Sequence, residues 1–218
     1  MENKRRGKQS SLLFYSEQPK MTQAILKGEI HTVKHLISNG EDVNSTDIKS
    51  RSFLHLAAFL NAGEIAKILI SAGARVNCLD GDRYTPMHRA CRMNHDSIVS
   101  LLIDKDADVN RRDREDVTPL HVCAANNALE CVRLFIHKVP NIDVTDKHGH
   151  TALHHAAFNG HCDVMLFLLQ NGAKPNSFDK YERRPIHYAA STDNTDAIRL
   201  LVNKGGQIDV RDKQMLTP

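Results

Sequence analysis

Residues 147–162 read KHGHTALHHAAFNGHC and place His148, His150, His154, His155, His161 and Cys162 within sixteen positions. Imidazole and thiolate are the ligands that zinc prefers, and two or three histidines with an open coordination position suffice to activate water. Taken alone, the run reads as a metal or catalytic site. What it can do depends on which of these side chains the fold brings to one place.

The chain that must position them has 218 residues, of which 41% are apolar and 25% charged. That is the composition of a globular protein with room for a substantial core. No stretch approaches the roughly 20 apolar residues of a membrane span, and MENKRRGKQSS at the start has no apolar signal segment. A soluble protein of the cytoplasm, the nucleus or both is therefore expected, without membrane insertion. Five cysteines, an odd number with no CxxC pair, suggest neither a disulfide framework nor a zinc ribbon, and are read as reduced thiols. The formal charge of +3 is already carried by Lys4, Arg5, Arg6 and Lys8 against Glu2, which leaves the remaining chain neutral. Residues 1–16 are expected to be a basic, disordered tail, either a solvated charge run or a nuclear address or acidic-surface contact. A neutral body lacks the clustered Lys and Arg that displace counterions from phosphates, so no nucleic-acid partner is expected.

Self-similarity decides the architecture. His55, His88, His121, His154 and His187 are each 33 residues apart, and so are Asp47, Asp80, Asp113, Asp146, Asp179 and Asp212. The phrases SFLHLAA, TPMHRAC, TPLHVCA, TALHHAA and RPIHYAA recur around the histidines. Period and phrase together resemble the ankyrin repeat, over roughly residues 17–218. The fold class expected is all-α, a solenoid of stacked helix-turn-helix units with β-hairpin-like loops. Its units are a degenerate N-terminal capping repeat at 17–46, full repeats at 47–79, 80–112, 113–145, 146–178 and 179–211, and the start of another at 212–218. Because KQMLTP opens a unit and stops, the chain is expected to be part of a longer array or the product of an incomplete gene model.

The physical content of each unit can be read from its residues. Thr85 and Thr118 suit an N-cap, with Pro86 and Pro119 as the first helical residue, where a missing N–H costs nothing. Paired small residues follow, such as Ala57 and Ala58 or Cys123 and Ala124, and let neighbouring helices approach closely. A second apolar run with helical spacing, IVSLLI from Ile98 or VMLFLL from Val164, makes helix two. Gly28, Asn61, Asn94, Asn127, Gly160 and Asp193 occupy the turn between the helices, where left-handed backbone is needed. Gly40, Gly73, Gly172 and Gly205 suit the end of helix two. Asp106 and Val139 depart from that pattern, and HKVPNIDV is expected to hold a distorted turn.

The period also dissects the histidine run. A ligand set repeated every 33 residues along a stack yields separated single histidines, so His55, His88, His121, His154 and His187 are structural. The resemblance implies that each imidazole bonds the capping hydroxyl and a neighbouring hairpin backbone, which leaves no nitrogen for a metal. His161, like His95, starts helix two. His148, His150 and His155 remain and could lie near one another, but no carboxylate or thiolate is evident at a matching position for a further ligand. Neither a metal nor a cofactor is expected, and with no Gly-rich phosphate loop, no GxSxG and no HExxH, neither is an enzyme.

The resemblance implies two further kinds of site. Some ankyrin repeats are substrates of an asparaginyl hydroxylase favouring Leu eight residues before an Asn preceded by Asp and an aliphatic residue. Leu36 with Asn44, and Leu102 with Asn110, match; alternatively these asparagines only stabilise a turn. Partner contacts in the family come from the loop tips and the residues after the small pair, here Lys49, Arg51, Tyr84, His148, His150, Tyr181 and Arg183, and Phe59, Leu60, Arg92, Met93 and Phe158. An apolar and arginine-bearing patch of this kind is typical of interface hot spots.

The segment TALHHAAFNGHCDVMLFLLQNGAKPNSFDKYERRPIHYAA, with GEDVN, ISAGARVN, DADVNRRD and TPLHVCAAN before it, resembles the regulatory ankyrin-repeat subunits of serine/threonine protein phosphatase 6. That resemblance implies a noncatalytic scaffold joining the phosphatase catalytic subunit to its associated regulatory subunit. The alternative is an adaptor linking membrane proteins or signalling partners to the cytoskeleton.

Overall fold

The computed structural model describes residues 19–218. The tail assigned to residues 1–16 lies outside the described residues, as do Glu17 and Gln18 of the first unit. Among the described residues there are twelve helices and no strand. They are α1 Lys20–Lys27, α2 Ile30–Ser38, α3 Phe53–Phe59, α4 Gly63–Ser71, α5 Pro86–Arg92, α6 Asp96–Ile103, α7 Pro119–Ala125, α8 Leu129–Phe135, α9 Ala152–Phe158, α10 Cys162–Gln170, α11 Pro185–Ser191 and α12 Thr195–Asn203. Each unit contributes one pair, α1 with α2 through α11 with α12, and like helices of successive units pack on one another.

Helix one starts at its cap. Ser52, Thr85, Thr118, Thr151 and Arg184 hold extended backbone there, and Pro86, Pro119 and Pro185 occupy the first turn. Seven residues are too few for a helix to persist alone in water, so its stability comes from packing. Leu54, Met87, Leu120, Leu153 and Ile186 supply one fully buried residue per unit. Between them Ala57 and Ala58, Ala90 and Cys91, Cys123 and Ala124, and Ala156 and Ala157 are sealed from solvent. Helix two buries Ile65 and Leu69, Ile98 and Leu102, Val164 and Leu168 in the same way. Cys91, Cys123 and Cys131 are free thiols inside this core.

The hairpin-like loops carry no strand; the described residues show a single isolated bridge, between Thr46 and Ser52. The repeated aspartate organises each loop instead. Asp146 Oδ1 accepts the N–H groups of His148 and His150 at 2.8 and 2.9 Å, and Asp80 Oδ1 those of Asp82 and Tyr84, both at 2.9 Å. A carboxylate bonding its own backbone two and four residues on competes with strand pairing. Adjacent tips are then tied by single backbone bonds, from Lys147 N–H to Glu115 O at 2.9 Å and from Lys180 N–H to His148 O at 3.1 Å.

The ends of helix two differ in one unit. Gly40, Gly73, Gly172 and Gly205 have positive φ, and Asp106 adopts φ 57° despite its side chain; Val139 does not. There α8 stops at Phe135, whose carbonyl takes the N–H groups of both Lys138 and Val139, at 2.8 and 3.0 Å. A second tie is missing at the same place. Asn44 bridges forward to Gly73 O at 3.1 Å and from Arg75 N–H at 2.9 Å, and Asn77 and Asn176 do likewise one and four units later. Asn110 makes neither bond, because the chain at Val139 and Asn141 follows another path. One lost hydrogen bond corresponds to about 1 kcal/mol, or roughly a fivefold change in opening. The Asn141 amide is therefore expected to exchange with deuterium faster than those of Arg75, Asp108 and Gln207. Equal protection of the four would show that the bridges do not stabilise the junctions.

Candidate binding surface and the aspartate loop

Four of the five histidines that follow the period are held at both ring nitrogens. In Thr118 and His121 the cap hydroxyl lies 2.8 Å from Nδ1, the Thr118 N–H donates to the same nitrogen at 3.1 Å, and Nε2 reaches the His150 carbonyl at 3.0 Å. His55, His88 and His154 repeat this toward the carbonyls of Tyr84, Val117 and Arg183. Each imidazole thus fastens its own helix to the next loop. In the last unit His187 Nδ1 accepts from Arg184 N–H at 3.0 Å, while Nε2 stays outside hydrogen-bond geometry, toward Leu216. Burial pushes His88, His121 and His154 down to about 4, so they are neutral at physiological pH.

The remaining histidines of the run separate. His161 is the N-cap of α10 and meets the Ala125 carbonyl at 3.1 Å, as His95 meets that of Phe59 at 3.1 Å. His148 stands exposed, 3.8 Å from Glu115. His150 and His155 converge on one oxygen, Asp146 Oδ2, at 3.1 and 3.0 Å. This corrects the expectation that no carboxylate matches these histidines: Asp146 does, because the loop carries it back beneath the first turns of α9. Against the upward push of burial, the hydrogen bonds of both imidazoles hold the Asp146 carboxyl far below the usual carboxylate range. The signal in the sequence is positional. The residues four and nine after each repeated aspartate are Arg51 and Leu56, Tyr84 and Arg89, Val117 and Val122, His150 and His155, Arg183 and Tyr188.

The residues expected to face a partner fall into two groups. Phe59 and Leu60, Arg92 and Met93, and Phe158 stand exposed at the ends of α3, α5 and α9, in one column that Ala125 and Asn126 interrupt. Lys49, His148 and Tyr181 are exposed at the loop tips. The others are engaged within the fold. Arg51 pairs with Asp47 at 2.6 Å, and the Arg89 guanidinium covers half-buried Tyr84 at 4.9 Å. Arg183 pairs with Asp179 at 3.2 Å and stacks on Tyr181 and Tyr188. His150 turns inward, its Nε2 2.8 Å from the Tyr188 hydroxyl. Ile48 and Phe178 are fully and largely exposed at the loops; an apolar residue flanking the repeated aspartate is the signal that could have found them. Of the two asparagines matching the hydroxylation pattern, Asn44 has its carboxamide bonded on both atoms, and the Asn110 carboxamide makes no hydrogen bond among the described residues.

The family model for ankyrin repeats in three copies matches residues 21–113 and 112–179, and that for many copies matches residues 168–218. The chain belongs to the ankyrin-repeat family. No curated protein matches it. Among solved structures, the ankyrin repeat domain of human ASB11 is 26% identical with a TM-score of 0.84, covering 92% of this chain and 90% of that one. The ankyrin repeat domain of Bcl-3, a member of the IkappaB protein family, is also 26% identical, with a TM-score of 0.80 and coverage of 93% and 92%. Ankyrin-repeat domains are in general noncatalytic and bind protein partners, and this chain shares their protein-interaction scaffold. No helix of the described ankyrin stack is long and apolar enough to cross a membrane.

Proposed function

We propose that this chain is a noncatalytic scaffold of the cytoplasm or nucleus that seats a protein partner on the column of helix ends. The observation that carries the reading is the state of four large side chains. Phe59, Leu60, Met93 and Phe158 are 44, 38, 40 and 49% exposed, while the small pairs just before them, Ala57 and Ala58, Ala90 and Cys91, and Ala156 and Ala157, are sealed. Arg92 stands exposed among them and has no salt-bridge partner among the described residues. Aromatic and arginine side chains in such a setting commonly dominate binding energy, at 2 kcal/mol or more each.

The segment resemblance to the regulatory ankyrin-repeat subunits of protein phosphatase 6 supports one class of partner, the phosphatase catalytic subunit and its associated regulatory subunit. Affinity purification of the tagged chain from cells is expected to bring down both. Replacing Phe59 and Arg92 by Ala should lower that capture by roughly thirtyfold or more, the equivalent of one strong hot spot. Unchanged capture would remove the column from the interface, and recovery of membrane proteins without phosphatase subunits would favour the cytoskeletal adaptor instead.

A further inference from the structure

In each unit the repeated aspartate has one oxygen bound by its own loop and the other turned toward side chains. What meets that second oxygen differs from unit to unit. Asp47 has Arg51, Asp80 has Arg89, and Asp179 has Arg183 together with the Tyr188 hydroxyl at 2.6 Å. Asp113, followed by Val117 and Val122, is approached by the Tyr84 phenol of the preceding unit. Three units therefore place a permanent cation against the carboxylate. Asp146 has two imidazoles in the places that arginine holds elsewhere.

The proton arrangement around His150 is constrained. Tyr188 donates its hydroxyl proton to Asp179 at 2.6 Å, so its oxygen is left to accept from His150 Nε2–H at 2.8 Å. The other nitrogen, Nδ1, faces Asp146 Oδ2. It either carries a second proton or offers a lone pair to a cation shared with the carboxylate. A histidine whose far N–H is fixed by a hydrogen bond is how metal ligands are usually oriented. The Asp146 carboxylate is oriented as well, by the two loop N–H groups on Oδ1.

We propose that Asp146 Oδ2, His150 Nδ1 and His155 Nε2 form a three-ligand site for zinc, with the fourth position open. Tetrahedral zinc with bonds of about 2.0–2.1 Å needs donor atoms about 3.3 Å apart. Two edges of the triangle already measure 3.1 and 3.0 Å, and all three donor atoms lie within 4.8 Å of one another. The donor set of two imidazoles and a carboxylate is one that zinc takes in open sites. Entry is from the solvent side, since the His155 side chain is 27% exposed and lines the surface groove shared with Tyr84, Arg92, His121 and Asn126. The bound ion fastens the loop tip to α9 and leaves a coordination position toward that groove, which water or a partner side chain completes.

The sibling units supply substitutions that suit the fold. His155→Arg recreates the Asp80 and Arg89 pair, and His150→Arg recreates the Asp47 and Arg51 pair. Titration of the purified chain with zinc chloride, with Cys78 and Cys162 replaced by Ser in every protein so that half-exposed thiols do not compete, is expected to give one saturable equivalent and a raised melting temperature. Both arginine variants, folded by circular dichroism, should bind at least tenfold more weakly and melt independently of zinc. Absence of a saturable equivalent in the parent chain, or equal affinity in the folded variants, would overturn the site and leave His150 and His155 as hydrogen-bond partners of Asp146 only.

Discussion

Acidification through the window from pH 6.5 to about 4 is expected to unfold the stack, before the lowered carboxyls of Asp47, Asp146 and Asp179 are neutralised. His88, His121 and His154 titrate near 4 in the folded chain and near 6.5 when unfolded, because burial disfavours their charged form. The sign follows from proton counting. Below 6.5 the unfolded chain binds protons that the folded chain refuses, so stability is full above that value and is lost as pH falls toward 4. Each histidine contributes about 1.4 kcal/mol per pH unit inside the window, and three together roughly 4. Across the window that amounts to something on the order of 10 kcal/mol, comparable with the 5–15 kcal/mol that an ordinary domain possesses. His55 and His187 are shifted in the same direction and add to the slope. The lowered carboxyls of Asp47, Asp146 and Asp179 extend the loss below the window. Urea midpoints measured at intervals from neutral to mildly acidic pH test this; a midpoint independent of pH would mean that these imidazoles accept protons without leaving their places.

Leu168→Ala is expected to lower stability by about 2–5 kcal/mol. Leu168 is fully buried on α10, and α10 packs against α8, α9 and α12. Removing its branched end leaves a void that a close-packed layer fills only in part. The loss should not stay local. No unit buries its apolar face alone, so weakening one interface draws down its neighbours. For a chain of this size the shift in melting temperature is roughly 5–15 °C. A melting curve superimposed on that of the parent would show that α10 is not part of the cooperative stack.

The period made most of the architecture legible in the sequence. Helix pairs, capping residues, the left-handed turns at Asn61, Asn94 and Asn127 and the buried small pairs all follow from residue types that recur in register. The candidate surface was legible at the helix ends, where exposure depends only on position along a helix. It was less so at the loops. Arg51, His150 and Arg183 read as tip residues from their numbers, yet each pairs with a carboxylate four residues earlier, and His150 and Arg183 are partly buried there. The link between Asp146 and the two histidines escaped for a related reason. An aspartate present in every unit looks like scaffolding, and only comparison of the residues four and nine places after it reveals that one copy faces imidazoles.

The unpaired Asn110 and the missing left-handed turn at Val139 have a mechanical consequence. A stack tied at every junction behaves as one elastic rod, whereas one junction with fewer ties is a compliant joint between two stiffer blocks. The units on either side of residues 110 and 140 lack the two asparagine bonds that Asn44, Asn77 and Asn176 make at their own junctions, so less hydrogen bonding resists a change in their mutual angle. The gap in the exposed column, at Ala125 and Asn126, belongs to the unit that follows that joint. Phe59 and Met93 lie on one side of that joint and Phe158 on the other, so bending there would change the spacing of the exposed side chains.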